Sequence, residues 1–263
     1  MKRYFLIIPG IFIVISCLAQ RPAQGPVSNK RYTPQQLGYK LFWEDQFNGN
    51  KLDTTKWNIR GKGARALGYV SDEAMKVENG YLKLFALKKG DSMLISAVGT
   101  QDRFMTKYGY FECRAQLQKS PGVWGAFWLQ SPQLSDGDNN PSLYGAEIDI
   151  MEFFKKLGTD IVSHNVWWGP YGPSQHTTHG MQSYLKGVSK GFHKFALEWT
   201  PEKYIFYIDG YKFYEVHMGI SHVKQYIILS MEIPHEAGDL VHTVFPDVFI
   251  IDYVKVYKKV SKK

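Results

Sequence analysis

From about Leu37 onward the chain is written in short runs of alternating apolar and polar residues separated by turn residues, and that period of two most constrains its fold. Residues 81–86 (YLKLFA) follow the turn Glu78-Asn79-Gly80, and residues 111–117 follow Tyr108-Gly109-Tyr110. Residues 195–199 stop at Thr200-Pro201. Residues 204–208 and 211–216 flank Asp209-Gly210, a two-residue hairpin signal. Residues 226–230 and 248–257 complete the series. No long segment repeats apolar residues at helical spacing. Many short strands in one chain of 263 residues imply an all-β sandwich or barrel. With no internal repeat or shift in composition, a single domain over 37–263 is expected.

One run carries charge where a strand face would be. Residues 145–153 read GAEIDIMEF. Side chains two apart share a strand face, so Glu147 and Asp149 point one way while Ile148 and Ile150 point to the core. Strict alternation would put Met151 beside the two acids. A one-residue bulge near Ile150-Met151 brings Glu152 there instead. The two glutamate Cα atoms would then lie roughly 13 Å apart at the usual strand rise. Side chains leaning together could reach the ~5–5.5 Å of a retaining glycosidase. Like charges this close raise one another's pKa, so one carboxyl can stay protonated while another is ionised. Asp149 sits between them, placed to share a proton or hydrogen bond. Taken alone, the same run is also compatible with an acidic solvent-facing strand.

The neighbouring residues favour a sugar cleft. Trp124 and Trp128 precede the acidic run, and His164, Trp167, Trp168 and Tyr171 follow it. The chain is 15% aromatic, and indole faces suit the C–H faces of pyranose rings. A core role for Trp128 and a structural role for His164 remain open at this point.

The formal net charge is +8, yet the lysines cluster only at Lys258, Lys259, Lys262 and Lys263, as in a solvated tail. A polysaccharide is therefore the expected partner, with no nucleic acid, and a monomer is expected. At the N-terminus, Lys2 and Arg3 precede an apolar run over 4–18 that gives way to Gln20 and Arg21. This is the layout of a secretory signal over 1–19, too short for a spanning helix. Val14-Ile15-Ser16-Cys17 resembles a lipobox, while cleavage after Ala19 is the competing route. Either route exports the protein, to the periplasm or medium, or to the cell surface as a lipoprotein whose lipid is its one membrane contact. Residues 20–36, rich in Pro, Gln and Ser, read as a flexible tether. Cys113 is then the one cysteine of the mature domain, expected as a small buried residue.

Taken together these runs resemble glycoside hydrolase family 16, in the bulged-strand branch of laminarinases, agarases, porphyranases and carrageenases. The resemblance spans roughly Leu41 to Tyr257. It rests on Glu-x-Asp-x-x-Glu at 147–152, on WEDQF at 43–47, LDTTKWN at 52–58 and YGYFECR at 108–114, and on AFWL at 126–129, FHKFALEWT at 192–200 and DYVKVY at 252–257. It implies a jelly-roll sandwich of two antiparallel sheets with an open concave cleft. It also implies Glu147 as nucleophile, Glu152 as general acid/base and Asp149 as their assisting acid, cleaving internal β-linkages with retention. Catalysis would need no cofactor. A structural Ca²⁺ touching Asp252 is a further implication, against a plain strand-start acid. Where laminarinases carry Asn-Leu-Ala-x-Gly-Gly, this chain reads Ser230-Met231-Glu232-Ile233-Pro234-His235, which puts Glu232 among the expected substrate contacts. The expected substrate is β-1,3- or mixed-linkage glucan. A β-galactan such as agarose, porphyran, carrageenan or a mucin-type glycan is the alternative, and a non-catalytic lectin on the same scaffold is the rival of another class.

Overall fold

A computed structural model describes residues 22–173, 175–235 and 240–260. Two antiparallel sheets pack face to face as a jelly roll. The concave sheet runs, strand by strand, Ser92–Gly99, Gln225–Glu232, Trp124–Gln130, Glu147–Phe153, Ile161–Trp168 and Met181–Tyr184. The convex sheet runs Met75–Glu78, Tyr81–Lys89, Asp247–Lys259, Gly109–Gln116, Phe192–Trp199, Tyr204–Ile208 and Tyr211–Val216. Tyr39–Asp45 pairs with the far half of Asp247–Lys259.

The period of two decides which side chains meet between the layers. Phe127, Leu129, Ile148, Ile150, Phe153 and Val166 from the concave sheet join Phe111, Cys113, Phe195, Leu197, Phe206 and Val254 from the convex one in a single buried core. Burial raises the Cys113 thiol far above its usual range, so it behaves as the small packed residue the pattern predicts. The expected hairpin at Asp209-Gly210 and the expected turn at Asn79-Gly80 are present. Asn79 and Gly80 (φ 54° and 77°), then Asp209 and Gly210 (φ 50° and 81°), take the positive φ pair of a tight primed turn.

The stretch read as a flexible tether behaves differently over its described part. Tyr184 N–H donates to Gln24 O at 2.8 Å and Gln24 N–H to Gln182 O at 2.9 Å, while Val27 N–H donates to Lys212 O at 2.8 Å and Tyr32 N–H to Gly210 O at 2.8 Å. Tyr32 also meets Tyr207 edge-on at 6.0 Å. The strands Met181–Tyr184 and Tyr211–Val216 lie at sheet edges with unpaired backbone groups, and an extended Pro-rich segment can satisfy them. The signal expected over residues 1–19 lies outside the described residues.

Candidate active site

The acidic strand Glu147–Phe153 enters from a short helix, Pro141–Tyr144, through Gly145 at φ 80°. A side chain there would bring its Cβ to 2.3 Å from Ser131 Cβ, so only glycine lets the strand start where it does.

The bulge predicted near Ile150-Met151 is present. Against Trp124–Gln130, Met151 faces Phe127 and Asp149 faces Trp128, leaving Ile150 unpaired. Against Ile161–Trp168, Asp149 faces Asn165 and Glu152 faces Ser163, so the two bulge residues lie opposite His164 alone. Ile150 and Met151 are both buried in the core, while Glu147, Asp149 and Glu152 line one cleft of about 660 Å³. The extra residue restores the phase, and three acids share a face despite their uneven spacing.

Each acid has different company. Oε2 of Glu147 accepts from Gln130 Nε2 at 2.9 Å and from the Tyr171 hydroxyl. Gln130 cannot turn its amide round, because its Oε1 accepts from Arg60 at 2.7 Å and from the Tyr226 hydroxyl at 2.5 Å. Burial leaves Glu147 raised on balance, with the two hydrogen bonds and the positive charges of Arg60 and Arg65 opposing it. Asp149 accepts from the Trp167 indole at 3.0 Å. It is held well above the carboxylate range, first by burial and then by the charges of Glu152 and Glu147. Glu152 accepts from Asn165 Nδ2 at 3.1 Å, and among the described residues no cation is paired with it. Burial pushes it up to about 8, the Asn165 bond and the Trp124 indole N–H opposing and the charges of Glu147 and Glu232 adding. Negative charge is therefore cheapest on Glu147, and protons are favoured on Asp149 and Glu152.

Among the other expected contacts, Trp124, Trp128, Trp167, Tyr171 and Glu232 line the cleft. Trp124 packs against Phe154 at 4.8 Å, and its indole N–H, beside Glu152, favours the charged form of that carboxyl. The Arg60 guanidinium lies 4.9 Å over the Trp128 ring. Glu232 is paired with Arg65 at 2.7 Å. Two expectations are overturned. Ser163, Asn165 and Trp167 face the cleft, so His164 and Trp168 face the other way by strand alternation. His164 is fully buried beside Phe206, and Trp168 stacks on His176 at 5.4 Å. Asp252 is likewise not free for a metal. Its carboxylate is held by Arg114 at 2.5 Å, and a guanidinium there repels a second cation. Among the described residues no three His, Cys, Asp or Glu side chains converge on a metal position.

Arg60, Arg65, Gln130 and Asn165 were not foreseen. Asn165 could have been found by stepping two residues back from Trp167. Arg60 and Arg65 come from around the small hairpin of Gly63–Arg65 and Gly68–Val70, whose sequence carries no cleft signal.

A family model described as glycosyl hydrolases family 16 matches residues 64–237. A glucan endo-1,3-beta-glucosidase A1 of Niallia circulans is 27% identical over 214 residues, which is 70% of this chain but 30% of that protein's length. A beta-glucanase of Rhodothermus marinus is 27% identical over 253 residues, 85% of this chain and 86% of the relative. The X-ray structure of an endo-beta-1,3-glucanase from Pyrococcus furiosus superposes with a TM-score of 0.71 at 26% identity, over 85% of this chain and 96% of that one.

Proposed function

Since this chain belongs to glycosyl hydrolases family 16, we propose that it is a retaining endo-β-glycanase acting on β-1,3- or mixed-linkage glucan. The observation that carries the reading is the pair Glu147 and Glu152, brought onto one cleft face by the bulge and given opposite surroundings. Ionised Glu147 attacks the anomeric carbon, and Glu152 gives its proton to the departing glycosidic oxygen as that bond breaks. Glu152, now a carboxylate, takes a proton from water, whose oxygen displaces Glu147 and returns the original configuration. Because Gln130 and Tyr171 both hold Oε2 of Glu147, Oε1 is the oxygen left for attack. Asp149 mediates between the two charges.

Trp124 and Trp167 supply stacking faces along the cleft, Trp128 backs it from beneath Arg60, and Tyr171 forms its outer wall. The relatives' names support a β-glucan as substrate. The basic start and apolar run at the N-terminus support export, by lipidation at Cys17 or by cleavage after Ala19.

The test is release of reducing ends from laminarin, lichenan, agarose, porphyran, carrageenan and mucin-type glycans. Oligosaccharides from laminarin or lichenan are expected, and Glu147→Gln and Glu152→Gln should each lower turnover at least about 1,000-fold while keeping glycan binding. Normal turnover by Glu147→Gln would end the mechanism. Binding without cleavage by the wild-type protein would favour a lectin.

A further inference from the structure

His164 is a polar ring in an apolar core, packed 5.1 Å from Phe206 and 6.0 Å from Tyr214. A buried imidazole costs free energy unless both nitrogens are satisfied. Both are. Nδ1 lies 2.6 Å from the Ile150 carbonyl oxygen and Nε2 lies 2.8 Å from Ser183 Oγ. A carbonyl can only accept, so Nδ1 carries the proton and Nε2 accepts from the serine hydroxyl. Burial pushes the imidazole down to about 4, which keeps this neutral tautomer through the neutral range.

Ile150 is the residue left without a partner on the neighbouring strand, and a bulge leaves the ladder disrupted at that point. His164 is also the one residue opposite Ile150 and Met151 on the other side. We propose that His164 is a positioning residue for the glycosidase reaction: its Nδ1–H pins the Ile150 carbonyl, locks the bulge, and thereby fixes Glu152 relative to Glu147. This inference rests on the reading of the two glutamates as the reacting pair. Without the pin, the carbonyl would seek another donor by rotating its peptide, and that rotation changes the direction of Glu152 two residues on. The imidazole touches neither the cleft nor the substrate, so its effect is on the chemical step and not on binding.

Two conservative variants separate the nitrogens. The amide of His164→Asn reaches about as far as Nδ1 and keeps a donor toward Ile150. That of His164→Gln reaches toward Ser183 and leaves the carbonyl bare. For His164→Gln, kcat on laminarin should fall about 100-fold with KM within about threefold, as for a misplaced catalytic group. Its Glu152 titration, read from ¹³Cδ-glutamate spectra, should move by at least about one pH unit. His164→Asn should stay within about fivefold of wild type in kcat, with an unmoved titration. Equal losses in the two variants, or a His164→Gln protein that titrates and turns over like wild type, would overturn the proposal. Should His164→Gln not fold, ¹⁵N-imidazole spectra of the wild-type protein decide. An Nδ1–H tautomer is required, and an Nε2–H tautomer would leave Ile150 without its donor and sink the idea. Failure of the wild-type protein to cleave any glycan would count against the reading of the site. The titrations need no substrate, so they would still judge the pin.

Discussion

Asn165 is where the acid–base properties of the site come closest to a single side chain. Its Oδ1 accepts from the Gly180 amide at 2.9 Å, so its Nδ2 is the atom turned toward Glu152 at 3.1 Å. That bond favours the charged form of Glu152 and acts against burial, which dominates. Removing it leaves burial and the charges of Glu147 and Glu232 less opposed, with the Trp124 indole still acting against them, and the pKa of Glu152 rises further. The acid must be protonated for the first step, so activity falls as pH rises through that pKa. Asn165→Ala should therefore move the alkaline limb of the kcat profile upward by about half to one pH unit. It should also lower the plateau about three- to tenfold, because a weaker acid protonates the leaving oxygen less well. A kcat–pH series on laminarin measures both. A limb that stays in place or moves down would show that Asn165 does not act on Glu152. Its counterpart on Glu147 is Gln130, locked by Arg60 and Tyr226. Together the two amides, each with its far end fixed, hold the carboxyls in unequal states.

The acidic strand is the element on which fold and chemistry meet. Exchanging its bulge neighbours, as Met151→Glu with Glu152→Met, keeps the composition but tests the phase. A regular strand would present position 151 to the cleft and should retain hydrolysis. The bulged strand turns position 151 into a core where Met151 is fully buried. The exchanged protein is thus expected to lose all cleavage and about 3 kcal/mol or more of stability, as a carboxyl enters apolar surroundings. Urea unfolding beside a reducing-end assay checks both, and an active exchange variant would contradict the bulge.

The same element marks the limit of what the sequence makes legible. The strands, the hairpins at Asn79-Gly80 and Asp209-Gly210, and the bulge follow from local spacing, because strand side chains alternate whatever the rest of the chain does. The placement of Trp167 on the cleft and Trp168 away from it needs the parity of a strand whose register comes from its neighbours. His164 was read as a cleft residue for that reason and proved to be a core one. Arg60 and Arg65 act on Glu147 through their charge from a part of the chain distant in sequence, and no local pattern encodes such a tertiary approach. At Asp252 the resemblance implied a metal contact, whereas the partner across the sheet, Arg114, is what decides its chemistry.

For the molecule as a whole, the site is a cost that varies with pH. Glu152 titrates near pH 8 when folded, far above an unfolded glutamate. Between those two values the folded protein keeps a proton that the unfolded chain has released. Stability then falls as pH rises through that window and levels off above the folded pKa. Asp149, shifted in the same direction by burial and its two neighbours, adds to the slope. Glutamine at position 152 has no proton to lose and can still accept from Asn165. Glu152→Gln should therefore be more stable than wild type at pH 8, on the order of 2 kcal/mol. The gain should shrink steadily as pH falls toward about 4.5, where the unfolded chain's glutamate regains its proton. Thermal unfolding at intervals from pH 4.5 to 8.5 gives the difference directly. If the two proteins unfold in parallel across that range, Glu152 does not hold its proton in the folded state. It could not then serve as the acid, however well its side chain is placed.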